Sequence, residues 1–87
     1  MAKGDFSWMR EGATSMLHVV DSVGAGGRQL SAFVAEIEFQ DGGAFKVKGF
    51  KIGCSLIEPD ATVLRATTRD EVEGAVITQA KGLVHLL

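Results

Sequence analysis

Several features that would point to a definite chemistry are scarce in this sequence. It has one cysteine, one proline and no tyrosine among its 87 residues. A single cysteine, Cys54, excludes a disulfide within the chain and a zinc site built from several cysteines. No apolar run approaches the length that spans a membrane, and the first residues lack the hydrophobic core of a signal peptide. We therefore expect a protein of the reducing cytoplasm with no membrane partner.

A large excess of charge of one sign is also missing. Nine lysines and arginines stand against eleven aspartates and glutamates, which gives a formal net charge of −2. Nucleic-acid-binding domains carry a basic face, and this balance does not favour one. The candidates for such a face are Arg28, Lys46, Lys48 and Lys51, but Glu36 and Glu38 lie beside two of these lysines and largely offset them. We expect no nucleic-acid partner.

Apolar side chains, by contrast, are in surplus. Hydrophobic residues make up 46% of the chain, and the mean hydropathy is +0.18. A chain of this length folds as one domain, residues 1–87, with a small interior relative to its surface. Within it, residues 1–5 are expected to form a loose terminus. The surplus indicates that some apolar surface is buried between chains, so we expect a homo-oligomer.

The clearest structural signal is a β-hairpin within residues 32–52. Residues 32–39 alternate between two faces with the period of a half-buried strand, and apolar and basic residues alternate over 45–48. With a three-residue loop at 41–43, closed by Gly43 in the left-handed conformation, every residue faces a cross-strand partner of similar polarity or opposite charge. The predicted pairs are Phe39 with Phe45, Ile37 with Val47, Glu38 with Lys46 and Glu36 with Lys48.

If the same register continues beyond the Glu36–Lys48 pair, half of the outer face of the hairpin is apolar. It places Val34 opposite Phe50 and Ala32 opposite Ile52, beside the charged pairs. An apolar patch rimmed by charge is typical of a partner surface. The alternative is that a loop or a terminus covers this half. The candidate interface consists of Ala32, Val34, Glu36, Lys48, Phe50 and Ile52.

Helical and extended segments are predicted on both sides of the hairpin. Residues 7–23 separate into an apolar and a polar stripe, which is typical of an amphipathic helix. A strand over 15–23 is the competing interpretation, because Val19, Val20 and Val23 are β-branched. Gly53 is expected to kink the second strand, which 54–57 would continue. Residues 62–67 are expected to form a third, antiparallel strand.

The last segment has the signature of a capped helix. Thr68 is the expected N-cap, and Glu71 completes a capping box. Gln79 falls inside the apolar stripe of this helix, so its amide must find hydrogen bonds. The predicted fold is a small α+β domain, with a first helix, an antiparallel meander of three or four strands, and a C-terminal helix packed on one sheet face.

The sequence offers little support for catalysis. His18 and His85 fall at polar positions, and no histidine or lysine is tied to Cys54 by local spacing. No metal-ligand spacing occurs, so we predict no metal or cofactor. The favoured function is a non-enzymatic, oligomeric protein-interaction module, a small regulator or inhibitor of another protein that acts through its outer sheet face. The alternative is a small-ligand-binding domain or minor enzyme with a pocket between the last helix and the sheet, near Cys54, Gln79 and His85.

Overall fold

Four antiparallel strands form the sheet on which the rest of the chain is built. The computed structural model describes residues 3–87. The strands lie side by side in the order in which they occur in the sequence. They are β1 (Phe6–Glu11), β2 (Thr14–Val23), β3 (Gln29–Phe39) and β4 (Phe45–Lys48).

A small hairpin and two helices follow the sheet. Strands β5 (Lys51–Ile52) and β6 (Ser55–Leu56) pair with each other. They precede the short helix α1 (Ala61–Arg65) and the longer helix α2 (Arg69–Gly82). Turns of 3-10 helix occupy Ala25–Gly27, Asp41–Gly43 and Val84–Leu86. The protein is therefore a small α+β domain, as predicted.

The central hairpin has the predicted register. Phe39 pairs with Phe45, and the three following pairs are those expected from the alternation of charge and apolar side chains. Gly43 closes the loop with a φ of 84°. Matching both faces of the hairpin was therefore sufficient to fix how β3 and β4 align.

The prediction of a helix over residues 7–23 is wrong, because this segment forms the hairpin of β1 and β2. Glu11 pairs with Thr14 across a two-residue turn in which Gly12 has a φ of 58°. A positive φ at the first turn position suits a type II′ hairpin turn, where glycine is favoured. From Thr14 to Val19 of β2, half-buried and buried side chains alternate, which is the period of a strand.

A β-bulge in β3 decides which side chains enter the core. Leu17 pairs with Ala35 but His18 pairs with Phe33, so Val34 is an extra residue in β3. Both Val34 and Ala35 are fully buried. The bulge therefore moves Val34 to the core face and Phe33 to the opposite face, the reverse of the sequence-based assignment.

Two predictions beyond the hairpin are also wrong. The chain does not continue as a kinked strand at 54–57, because β5 reverses into β6 through a turn at Gly53. Residues 62–67 do not form a strand, because Asp60 caps α1 by accepting a hydrogen bond from the Val63 amide at 3.0 Å. That cap outweighs the β-propensity of the residues that follow it.

The predicted start of the last helix is confirmed. Thr68 caps α2 and accepts a hydrogen bond from the Glu71 amide at 3.2 Å. The Glu71 carboxylate accepts hydrogen bonds from the Thr67 amide and hydroxyl. These hydrogen bonds lower the pKa of Glu71, the backbone hydrogen bond from Thr67 most strongly.

The expected loose terminus is held to the sheet from Gly4 onwards. The Gly4 amide donates to the Val20 carbonyl at 2.8 Å, and the Val20 amide donates to the Asp5 carbonyl at 2.8 Å. Met1 and Ala2, which belong to the same prediction, lie outside the described residues. Within residues 3–87, no helix has the length and apolar character needed to cross a membrane.

One face of the sheet, the core face, packs against the helices. The apolar residues of α2 that reach it are Val72, Val76 and Ala80, and α1 contributes Val63. Phe50 and Ile52 close the same cluster beside the β5–β6 hairpin. The core is formed by Leu17, Val19, Val34, Ala35, Ile37, Phe50, Ile52, Val63, Val72, Val76 and Ala80.

Two glycine substitutions that test the backbone conformation should change the free energy of unfolding in opposite directions. Gly49 has a φ of 60°, and a Cβ there would lie 3.0 Å from Cε1 of Phe33. We expect Gly49→Ala to lower the free energy of unfolding by about 1–3 kcal/mol. Gly74 lies within α2, and a Cβ added there would meet no neighbouring element within 4 Å. Gly74→Ala should therefore raise the free energy of unfolding by about 0.5–1 kcal/mol. Urea unfolding of both variants measures the two shifts, and shifts of the same sign would contradict this backbone.

Candidate interaction surface

Among residues 3–87, α1 and α2 pack on one face of the sheet and not on the opposite face. The buried residues of α1 and α2 all pack on the core face or its margin, and the alternation of the strands turns another set of side chains away from it. We call this second face the outer face. Its residues are Ser7, Met9, Glu11, Thr14, Met16, His18, Phe33, Glu36, Glu38, Lys46 and Lys48.

One part of the outer face is an apolar patch, which we define as Met9, Met16, His18 and Phe33. Met9 is 55% exposed, and the other three are partly exposed. The rings of His18 and Phe33 meet edge to face, with centroids 5.9 Å apart. Methionine adapts its shape to a partner, and aromatic rings supply large contact area. The patch therefore has the composition of a protein-binding surface.

The other part of the outer face is a charged margin of Glu36, Glu38, Lys46 and Lys48. The Lys48 ammonium lies 2.6 Å from the Glu38 carboxylate. Their hydrogen bond, followed by the attraction of their charges, raises the pKa of Lys48 and lowers the pKa of Glu38. Two acids and two bases leave this margin with no net charge, so it gives little preference to a strongly charged partner.

The sequence-predicted interface divides between the two faces. Glu36 and Lys48 lie on the outer face, as expected. Val34, Phe50 and Ile52 do not, because the bulge turns Val34 inward and Gly49 ends β4 before Phe50 can pair with β3. These three side chains are in the core, and Ala32 is partly buried against it. The expected apolar half of the outer face is therefore formed by different residues, those of the apolar patch.

The predicted ligand pocket is not formed by the residues assigned to it. Cys54 is exposed in the β5–β6 turn, and His85 is exposed in the last 3-10 turn. The Gln79 amide is occupied: it accepts from the Asp60 amide at 2.9 Å and donates to the Glu58 carbonyl at 2.8 Å. Gln79 therefore anchors the entry to α1, which fulfils the requirement that its amide find hydrogen bonds.

A cluster of charged and polar side chains joins α2 to the first hairpin. The Glu73 side chain is buried, and its carboxylate accepts from the Arg10 Nη2 at 2.6 Å and from the Ser15 hydroxyl. Arg69 donates to the Ser15 Oγ at 2.9 Å and to the Gly12 carbonyl at 2.9 Å. We call this set, Arg10, Ser15, Arg69 and Glu73, the buried ionic cluster.

The buried ionic cluster is internally satisfied. Burial opposes ionisation of Glu73, but the hydrogen bonds from Arg10 and Ser15 and the charges of Arg10 and Arg69 outweigh it and lower the pKa of Glu73. Among residues 3–87, no buried side-chain nitrogen or oxygen lacks a hydrogen-bond partner. The cluster therefore supports packing of α2 on the sheet, because its hydrogen bonds join side chains of α2 to β1 and β2.

An open cleft between α1 and α2 has a volume of about 480 Å³. Both of its carboxylates are already used, since Asp60 caps α1 and Glu71 accepts hydrogen bonds from Thr67. The other polar side chains of its lining are Thr62, Arg65 and Thr78. In the part of the chain that the structure describes, no group of three or more His, Cys, Asp or Glu side chains is placed to hold a metal ion.

The pKa of Glu73 makes the stability of the protein depend on pH. Because its pKa in the folded state lies below the ordinary value of 4.5, its contribution is present above that pH and is lost as the pH falls through the folded pKa. At neutral pH we expect Glu73→Gln to lower the free energy of unfolding by about 1.5–3 kcal/mol. The difference between wild type and variant should shrink as the pH falls below about 4, as measured by urea unfolding at a series of pH values.

Glu11→Gln is the matched control, because Glu11 is exposed on the outer face. It makes the same chemical change and should alter the free energy of unfolding by no more than about 0.5 kcal/mol. Equal losses for the two variants, or a loss for Glu73→Gln that stays constant with pH, would contradict the role given to the carboxylate.

Comparison with known proteins gives no relative from which a function could be carried over. No family model matches the chain, and no curated protein sequence or solved structure matches it. Any functional conclusion therefore depends on the surfaces described above.

Proposed function

We propose that this protein is a non-enzymatic protein-interaction module that forms a homodimer through its outer face. The observation that carries the proposal is the apolar patch on a sheet face that no helix covers. Patches of this kind, rimmed by polar residues, are typical of protein-protein contact sites. The surplus of apolar residues in so short a chain supports the same proposal, because a dimer interface would bury part of it.

A second copy of this chain is the partner that best fits the patch. The charged margin beside it has no net charge, so the complementary surface should also be apolar with balanced charge, and the outer face itself meets that description. A two-fold axis through the patch would bring Met16 and Phe33 of each copy together. Two sheets packed face to face in this way form a β-sandwich, in which the inner side chains of both sheets interdigitate.

The dimer would act as a small regulator or inhibitor of another protein. In the described residues, the polar side chains of the buried ionic cluster are hydrogen bonded to one another, and the apolar patch contains methionines that can adapt to a partner. These features favour protein binding over catalysis. A reducing, cytoplasmic setting would suit the exposed thiol of Cys54.

Substitution of the patch tests the dimer directly. Phe33→Glu places a charge at the centre of the proposed contact, and we expect it to raise the dimer dissociation constant by about 30-fold or more. Met9→Glu, at a side chain that is 55% exposed, should weaken the dimer without disturbing the fold. Light scattering coupled to size-exclusion chromatography, over a range of protein concentrations, measures the dissociation constant.

Leu64→Glu is the matched control, since Leu64 is 66% exposed on α1 and lies away from the outer face. It should leave the dimer unchanged. Circular dichroism of each variant checks that it remains folded. A wild-type protein that stays monomeric at every concentration, or folded Phe33→Glu and Met9→Glu variants that dimerise as well as wild type, would refute the proposal.

A further inference from the structure

The free edge of β4 presents backbone groups that no other strand uses. The Gln40 amide donates to the Ala44 carbonyl, and the Phe39 amide donates to the Ala13 carbonyl on the opposite side. In an antiparallel ladder, hydrogen-bonded and non-hydrogen-bonded pairs alternate. Lys46 and Lys48 therefore bond to β3, and the N–H and C=O groups of Phe45 and Val47 point away from the sheet.

An apolar groove runs beside this edge on the side of the core face. Its volume is about 410 Å³. The side chains of Phe45 and Val47 form one wall, and Pro59 and Leu64 form part of the other. Leu64 is 66% exposed although it is a large apolar residue. The groove could therefore accept an apolar side chain of a strand added to β4.

The charges on β4 restrict what such a strand could be. Lys46 and Lys48 alternate with the groove-lining residues and face the opposite side. Pairing β4 with β4 of a second copy would place lysines opposite lysines, which is a common protection against edge-to-edge association. Lys48 is engaged by Glu38, whereas Lys46 is exposed. An incoming strand with an acidic residue opposite Lys46 would be favoured.

We propose that the β4 edge binds an extended protein segment in which apolar and acidic residues alternate. The segment adds a fifth strand to the sheet, with backbone hydrogen bonds to Phe45 and Val47. Its apolar side chains enter the groove beside Leu64, and an acidic side chain faces Lys46. Affinity comes from the backbone ladder and selectivity from the alternate side chains, as in other cases of strand addition. This site is separate from the apolar patch.

A synthetic peptide in which isoleucine and glutamate alternate is the probe. Fluorescence anisotropy of the labelled peptide measures its affinity for the full chain. Leu64→Glu should weaken binding at least about tenfold, because it places a charge in the groove. Lys46→Glu should weaken binding by about fivefold. Lys81→Glu, which makes the same change in net charge on the exposed last turn of α2, is the control and should bind as wild type does.

Amide hydrogen exchange by NMR gives a second measurement that does not depend on substitution. On peptide binding, the Phe45 and Val47 amides should become protected, while the Lys46 and Lys48 amides, already bonded to β3, should change little. A peptide with lysine in place of glutamate should bind more weakly. Absence of binding, equal binding by Leu64→Glu and wild type, or protection that excludes Phe45 and Val47 would overturn the proposal.

The Phe33→Glu variant distinguishes the proposed peptide site at the β4 edge from the proposed homodimer contact on the outer face. If the two sites are independent, that variant binds the peptide as tightly as wild type even when it is monomeric. A loss of peptide binding in folded Phe33→Glu would show that the peptide occupies the outer face, which would refute the edge site while leaving the outer-face contact in place.

Discussion

The placement of α2 on the sheet depends on the ion pairs and hydrogen bonds of the buried Glu73 carboxylate. Glu73 lies on α2, and its hydrogen-bond partners Arg10 and Ser15 lie on β1 and β2. Removing an ionised carboxylate from water is costly unless the charge is paired and fully hydrogen bonded. Here two arginines and a hydroxyl meet that requirement. The cluster therefore fixes which face of the sheet α2 covers, while the apolar core supplies most of the burial.

Covering one face with the helices leaves the opposite face to solvent. The bulge at Val34 then sets the chemistry of each side. It sends Val34 into the core, where it is fully buried, and it turns Phe33 outward against His18. Without the bulge, Phe33 would lie on the core face and the outer face would lose its largest side chain. A single extra residue in β3 thus determines both the packing of the core and the composition of the apolar patch.

Local matching predicted the parts of the fold that depend on neighbours in sequence. The β3–β4 register followed from opposite charges and paired aromatics, and the start of α2 followed from Thr68 and its capping box. The first hairpin was not predicted, although a strand over 15–23 was the competing interpretation, because residues 7–23 satisfy a helical stripe as well as an alternating pattern. Gly12, which suits a two-residue turn, was the signal that could have separated them. The bulge and the buried ionic cluster depend on contacts between distant segments, and no local pattern specifies them.

The helices cover one face of the sheet, and we propose that the other face meets a second copy of the chain. The methyl groups of Met9 and Met16 report on this most directly, because both belong to the outer face. NMR of methyl-labelled methionine, with a soluble paramagnetic agent, measures how accessible these methyl groups are to solvent. We predict that both become less accessible as protein concentration rises and the molecular mass doubles. If the accessibility of both methyl groups stays constant while the mass doubles, the dimer contact lies elsewhere and the outer face is not the interface.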